Sequence, residues 1–427
     1  MSTLVFVIFL CLFLALRIEI AFALGLGALL YMVVFLPTVS LTTIPQQMYA
    51  GADSFTLTAI PFFVLVGELM TAGGISRRLV DFSHTLVGHL KGGMGIVELV
   101  ASLIFAGFSG SAVANAAGTG SITIPAMIQS GYPRGLAAAI ESSSSSLGAI
   151  LPPSIPLIVY ASIAGVSVSG LFLGSYVPGA ILSLGLAILI RWEAIRHRVP
   201  MHPRASRAEK LAAAKDAAPA LLTPLLIMVG IFGGVMTPTE AGAAGAVYAF
   251  LISYFLYREI TLYDLPRLLL NTAITTGVVM LVMTAAAVFS WILAFEGIPA
   301  DAAELFLSTV RDPSLLMISI VALLLVMGIF IEPIPGLIIL TPVIVPIGAA
   351  AGLDPLHLGV VVTIALTLGI LTPPVGVILY VTSMLANTTV EATSRALIPF
   401  LVVLIGGTLV IAVVPGLVLW LPRLFGY

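Results

Sequence analysis

Charge is what this chain has least of. Its 427 residues include 17 Lys and Arg and 19 Asp and Glu, 8% in all, where a soluble domain carries about 25%. That shortage excludes an ordinary soluble fold. A single cysteine, Cys11, excludes an internal disulfide and a cysteine-based metal cluster. No G-x-x-x-x-G-K-[ST] occurs, so the chain does not hydrolyse ATP through a P-loop. "GFSGS" from Gly107 misses a G-x-S-x-G elbow at Ser111, and "AGTGS" from Ala117 has neither a lysine nor a preceding strand. The five histidines (His84, His89, His197, His202, His357) fall outside the middles of the apolar runs, which leaves an intramembrane serine peptidase without its base. An enzyme is not expected.

In place of charge there is grease: 60% hydrophobic residues and a mean hydropathy of +1.20. Runs approaching the roughly 20 apolar residues of a membrane span recur along the chain, which predicts an all-α polytopic membrane protein. Spans are expected near 2–16, 19–36, 56–74, 135–163, 170–190, 218–235, 239–257, 268–294, 356–385 and 396–421. The opening "MSTLVFVIFLCLFLAL" has no basic leader and reads as a retained first helix, not a signal peptide. Two further runs, 93–130 and 313–350, carry Gly-, Ser- or Pro-rich middles. Re-entrant hairpins suit them better than single spans, because irregular backbone survives at depth only where protein or water covers it.

The few charges order this map. Seven of the 17 basic residues lie in "RWEAIRHRVPMHPRASRAEKLAAAK", from Arg191 to Lys215, the only long polar connection. By the positive-inside bias it is cytoplasmic, and with no reading motif beside it nucleic acid is not an expected partner. With both termini periplasmic and the hairpins not crossing, 15 of the 17 fall on the cytoplasmic side, leaving Arg311 and Arg423 outside. "GGISRRLVDFSHTLVGHLKGG" is amphipathic, with Ile75, Leu79, Phe82, Leu86 and Leu90 at helical spacing; it lies in the membrane interface or packs on the protein.

An offset of 221 residues lays "LGAILPPSIPLIVYAS" over "LGILTPPVGVILYVTS". Pro152-Pro153 meets Pro373-Pro374, Gly107 meets Gly328, Pro125 meets Pro346 and Pro178 meets Pro399. The chain thus divides into repeats at 1–190 and 218–427, joined by the basic linker 191–217. Five crossings separate equivalent points, an odd number, so the halves are inverted. Inverted repeats with broken helices point to a secondary transporter whose site lies between them.

The breaks have a chemistry. Pro152 and Pro153 remove two backbone donors, so a helix must open around Ala149–Ser154. Freed carbonyls near Ile150 and Leu151, with the hydroxyls of Ser144, Ser145 and Ser146, are hard oxygen ligands suited to Na⁺. The following half-helix offers its positive end to a carboxylate. Thr372 and Pro373 repeat the break. Facing groups would come from the hairpin tips: Ser109, Gly110, Ser111 and Asn115 in the first, Glu332, Pro333 and Pro335 in the second. Plainer readings stand beside these. Serines in membrane helices bond back to carbonyls or ease packing, Glu332 caps amides as readily as it binds an ion, and Glu68 and Glu98 read as structural or interfacial. "TPTEAGAAGAVYAF" reads as a capping box, with Thr237 the N-cap, Pro238 next and Glu240 closing it.

"PFFVLVGELM", "FSGSAVANAAGTGSITIPAM", "SSSLGAILPPSIPLIVYA", "GVMTPTEAGAAGAVYA", "IPGLIILTPVIVPI" and "GILTPPVGVILYVTS" together resemble the large membrane subunit (DctM-like) of tripartite ATP-independent periplasmic (TRAP) transporters, part of a wider superfamily of ion-coupled carriers. The likeness covers essentially the whole chain. It implies an elevator transporter in the bacterial inner membrane, its hairpins and broken helices moving against a scaffold. It also implies Na⁺-driven uptake of a small organic acid, a C4-dicarboxylate or sialic-acid-like compound. A periplasmic binding protein would deliver the acid, and a small four-helix membrane subunit would be a separate chain. By motif match, Ser109, Gly110, Ser111, Asn115, Ser144–Ser146 and Pro152 would line one sodium site. Gly328, Glu332, Thr372 and Pro373 would line its counterpart, giving at least two ions per cycle, while Ser111, Asn115, Ser154 and Thr372 would meet substrate. A stand-alone sodium–dicarboxylate carrier and an uncoupled pore remain as alternatives.

Overall fold

A computed structural model of the chain describes residues 13, 16, 18–309, 312–373 and 376–427. The expected first span near 2–16, with Cys11, lies largely outside these residues, as do Arg17, Arg311 and Pro374. The described chain is helical. The first half runs α1 (Ile20–Phe35), α2 (Thr43–Ala52), α3 (Ala59–Ala72), α4 (Ile75–Val87), α5 (Gly93–Ser109), α6 (Ala112–Gly118), α7 (Gly120–Gln129), α8 (Arg134–Ser146), α9 (Ile155–Ala164) and α10 (Val168–Arg196). After the linker come α11 (Arg207–Phe232), α12 (Pro238–Leu251), α13 (Leu265–Phe295), α14 (Ile298–Thr309), α15 (Pro313–Gly328), α16 (Pro333–Ala350), α17 (Pro355–Gly369), α18 (Val377–Leu385), α19 (Val390–Val413) and α20 (Gly416–Leu424). Seven of the described helices are long and apolar enough to cross a membrane.

Two elements occupy the centre. Every residue of α8 from Leu136 to Ser146, and of α17 from His357 to Gly369, is buried. Around α8 pack α5, α6, α18 and α19; around α17 pack α9, α15, α16 and α19. Many large apolar side chains on α1, α10, α11, α13 and α19 point outward instead, Phe22, Leu184, Leu225, Ile274 and Val402 among them. That inversion is what a chain dissolved in lipid requires.

Proline and glycine set the boundaries. The expected opening at Ala149–Ser154 is there: α8 tightens into a single 3₁₀ turn over Leu147–Ala149 and the chain restarts as α9. Ser154 caps the new helix, its Oγ accepting from the Leu157 amide at 3.3 Å. The second broken helix parts between Gly369 and Val377. Thr237 and Glu240 form the expected capping box, and Ser206 with Glu209 forms another at the start of α11. Two differences from the sequence reading stand out. The expected span 396–421 is two helices, α19 and α20, parted at Val414–Pro415, because Pro415 lacks the amide that would continue the ladder. The short helices α2 and α14 lie in stretches where no element was expected.

Part of the apolar face of α4 packs on the protein, while Leu86 stays exposed. Ile75 and Leu79 are buried in a cluster with Phe105, Phe108 and Ala220. On the same helix Arg78 pairs with Asp216 at 3.4 Å and Glu259 at 3.3 Å and lies 3.9 Å above the Tyr257 ring. His84 meets His202 of the linker edge to face at 5.5 Å, and His202 Nε2 lies 3.1 Å from Ser130 Oγ. Burial, then the neighbouring His202, hold His84 below the ordinary histidine range, against a weaker opposite pull from Asp81. A histidine depressed in the folded state binds fewer protons folded than unfolded, so it favours folding less as pH falls through the ordinary range. Acidification to about pH 5.5 should therefore loosen the linker from α4. Faster tryptic cleavage at Arg204 and Arg207 would report it, and His84→Gln should abolish the pH dependence.

Candidate functional site

The two hairpins turn where the sequence is richest in small and proline residues. In the first, α5 ends at Ser109, Gly110 turns with φ +61°, and Ser111 caps α6 by accepting from the Ala114 amide at 3.3 Å. The Ile155 amide, at the start of α9, donates to the Gly110 carbonyl at 3.4 Å. The tip of one hairpin is thereby stitched to the restart of the broken helix. In the second, α15 ends at Gly328 and Glu332 precedes α16, whose first residue is Pro333. The Glu332 carboxylate makes no capping hydrogen bond and is exposed.

These features border one cavity of about 460 Å³. Its wall includes Ser109–Ala114 of the first tip, Glu332–Ile334 of the second, Ala149, Ile155 and Pro156 of one break, and Ile370 and Val377 of the other. From α3 come Gly67, Glu68 and Thr71, and from α13 come Thr275 and Val279. Three helices of eight or more residues begin on this wall: α9, α16 and α18. Each start presents the positive end of its helix dipole, although at α9 the Ile155 and Leu157 amides are already taken by the Gly110 carbonyl and Ser154 Oγ. Among the described residues the wall has two carboxylates, Glu68 and Glu332, and no Lys, Arg or His. Such a wall can hold an anion on amides and hydroxyls, with a cation beside it facing the carboxylates.

The sequence-derived site residues divide accordingly. Ser109, Gly110, Ser111 and Glu332 line the cavity. Asn115 does not: it is fully buried, its Nδ2 donating to the Ser102 carbonyl at 3.2 Å and the Ser145 carbonyl at 3.5 Å. Ser142, Ser143, Ser145 and Ser146 turn back onto α8 carbonyls, whereas Ser144 is fully buried and its Oγ has no partner. Ser154 is spent on its cap and on the Ala149 carbonyl. Pro152 is buried within the first break, and Pro373 is half-buried at the second. Thr372 Oγ1 donates to the Leu368 carbonyl at 3.1 Å. Gly328 sits against the second broken helix, where a Cβ would come 2.8 Å from Gly369 Cα. Glu68, Thr71 and Thr275 were not picked out as site residues. Glu68 had a legible signal, a carboxylate inside "PFFVLVGELM"; Thr275 had none.

A cavity enclosed by two helical hairpins and two interrupted helices defines a membrane transporter fold. The overall fold is similar to that of the solved Alcanivorax borkumensis YdaH transporter, with a TM-score of 0.60 at 17% identity over 96% of this chain and 97% of that one. Residues 6–417 match the family model "Tripartite ATP-independent periplasmic transporter, DctM component". The sialic acid TRAP transporter large permease protein SiaM of Vibrio cholerae is 40% identical over 383 residues, 90% of each chain. The C4-dicarboxylate TRAP transporter large permease protein DctM of Pseudomonas aeruginosa is 37% identical over 404 residues, 95% of this chain and 94% of that one. The chain belongs to the DctM family of TRAP transporter large permeases. Its relatives are named as transporter permeases, which sets it among transporters and not enzymes.

Proposed function

We propose that this chain carries a small organic acid, a C4-dicarboxylate or a sialic-acid-like compound, into the cell through the bacterial inner membrane, driven by Na⁺. The observation that carries the reading is the meeting of both hairpin tips and three helix starts on one cavity without a cationic side chain. An acid bound there meets amide dipoles but no lysine or arginine, and Glu68 and Glu332 add negative charge. Bound Na⁺ offsets that charge, so binding of acid and ion is coupled. Ser109, Gly110, Ser111 and Glu332, at the cavity, and Ser144, with its free hydroxyl, are the ion ligands this reading favours.

The helix pattern supports two inverted repeats. α8 and α17 begin at Arg134 and Pro355, 221 residues apart, and α6 and α16 begin at Ala112 and Pro333, again 221 apart. On this reading hairpins and broken helices move together as an elevator against the longer spans, both termini are periplasmic and the 191–217 linker is cytoplasmic. A small four-helix subunit, as a separate chain, widens the scaffold, and a periplasmic binding protein delivers the acid. The names of the relatives, sialic acid for one and C4-dicarboxylate for another, support the substrate class.

The test is uptake of radiolabelled acid in proteoliposomes holding this chain and its small-subunit partner, with a Na⁺ gradient, with and without the binding protein. Uptake that needs both is expected. Uptake on Na⁺ alone would point to a stand-alone carrier, and flux indifferent to Na⁺ would sink the coupling. In the same assay Glu332→Gln should leave the protein folded and raise the Na⁺ concentration for half-maximal uptake about tenfold, roughly 1.4 kcal/mol of ion binding.

A further inference from the structure

Away from the cavity, two carboxylates are sealed inside the first half of the protein. Glu98 on α5 and Glu141 on α8 are both 0% exposed. The two are neighbours bridged by hydroxyls: Ser102 Oγ, which reaches Glu98, lies 3.4 Å from Thr119 Oγ1, which reaches Glu141. Ser102 Oγ reaches Glu98 Oε1, Thr119 Oγ1 lies 2.9 Å from Glu141 Oε1, and Thr123 Oγ1 lies 2.7 Å from Glu141 Oε2. Asn115 spends its amide hydrogens on the Ser102 and Ser145 carbonyls and so donates to neither acid.

The donors run short by one. Four carboxylate oxygens face three hydroxyl protons, and the oxygen left over, Glu98 Oε2, is buried with no partner. The shortage is in fact larger, because Thr119 Oγ1 is also 2.8 Å from the Asn115 carbonyl and Thr123 Oγ1 is 3.1 Å from the Thr119 carbonyl. A hydroxyl has one proton to give. No cation makes up the difference. Arg134, on α8, donates to the Ala386 carbonyl; Arg78, on α4, pairs with Asp216 and Glu259; Glu193, on α10, takes Arg196 and His197. The remaining charged and titratable groups of the elements around the pair are Glu68 on α3, Arg77, Asp81 and His84 on α4, Tyr176 and Arg191 on α10, Arg207, Glu209, Lys210 and Lys215 on α11, Tyr380 on α18, and Glu391 and Arg395 on α19. Among the described residues none forms an ion pair with Glu98 or Glu141. Two neighbouring bare carboxylates, out of water and without a cation, are strongly disfavoured.

We propose that Glu98 and Glu141 form a proton-binding site, a carboxylic acid and a carboxylate that share one retained proton. The proton sits between Glu98 Oε2 and Glu141 and supplies the one donor that Glu98 Oε2 lacks. It ties the first arm of the first hairpin, α5, to the first half of the broken helix, α8, and leaves the pair with one negative charge shared over both groups. This site does not depend on the transport reading, since its proton stays in place whatever the cavity carries.

Infrared spectroscopy of the full chain in lipid at neutral pH tests it. Wild-type protein should show the carbonyl stretch of a protonated carboxylic acid, shifted in D₂O. Glu98→Gln and Glu141→Gln should each remove that band completely while keeping the wild-type thermal midpoint, because the amide supplies the missing hydrogen. Absence of the band from folded wild-type protein overturns the proposal, and so does a band that survives both substitutions. A band that is missing together with a thermal midpoint that rises with added Na⁺ or Ca²⁺ makes this a cation site instead, and also overturns it. Should a glutamine variant fail to fold, isotope labelling of the glutamate side-chain carboxyls in wild-type protein decides: a band that moves with the label supports the proposal, and one that does not overturns it.

Discussion

Gly110→Val should destabilise the protein by about 2–5 kcal/mol and abolish uptake. Two costs add. The left-handed backbone at Gly110, φ +61°, penalises an L side chain by about 1–2 kcal/mol. A Cβ there would also stand 2.9 Å from the Pro153 carbonyl oxygen, backbone that cannot yield, and such overpacking costs about 1–3 kcal/mol. Gly165 separates the two terms. It shares the left-handed backbone, φ +68°, but has nothing within 4 Å of a Cβ. Gly165→Val should therefore lower the thermal midpoint by the conformational part alone and leave uptake close to wild type. Equal losses at both positions would mean that the hairpin tip does not seat against the break.

Asn115→Leu should cost about 1–3 kcal/mol, the cost of leaving a buried polar group stripped of its partner. The side chain bridges three elements. Its amide hydrogens go to Ser102 on α5 and Ser145 on α8, and Thr119 Oγ1, between α6 and α7, lies 3.3 Å from its Oδ1. Leucine fits the volume roughly and satisfies none of these groups. A measurable loss of thermal midpoint, with an unchanged Na⁺ requirement in whatever protein remains folded, is the expected signature of a structural strut. A normal midpoint with a raised Na⁺ requirement would return Asn115 to the ion ligands that its motif suggests.

Much of this protein was legible from composition and punctuation. Low charge and long apolar runs dictated helices, because lipid leaves backbone amides no other partner. Pro152-Pro153 announced a break, since two missing donors cannot be hidden in a continuous helix, and α8 and α9 part there. The capping box at Thr237 was readable because it is local, with all its partners within four residues. The tips at Ser109–Ser111 and Glu332 were readable for the same reason: glycine and proline mark turns by their own backbone preferences.

What the sequence could not rank was which polar group faces what. Five adjacent serines look alike, yet only Ser144 Oγ lacks a partner, while the others bond back along α8. Asn115 carries as much polar promise as Ser111, but the fold turns one into the interior and the other onto the cavity. Glu68 and Glu98 read alike, as structural or interfacial; one lines the cavity and the other is buried beside Glu141. Local sequence determined where helices start, stop and break, because those costs are charged to neighbouring backbone groups. Tertiary structure alone decided which side chains meet, because helix rotation and the packing of α8 and α17 are settled by contacts with residues far along the chain.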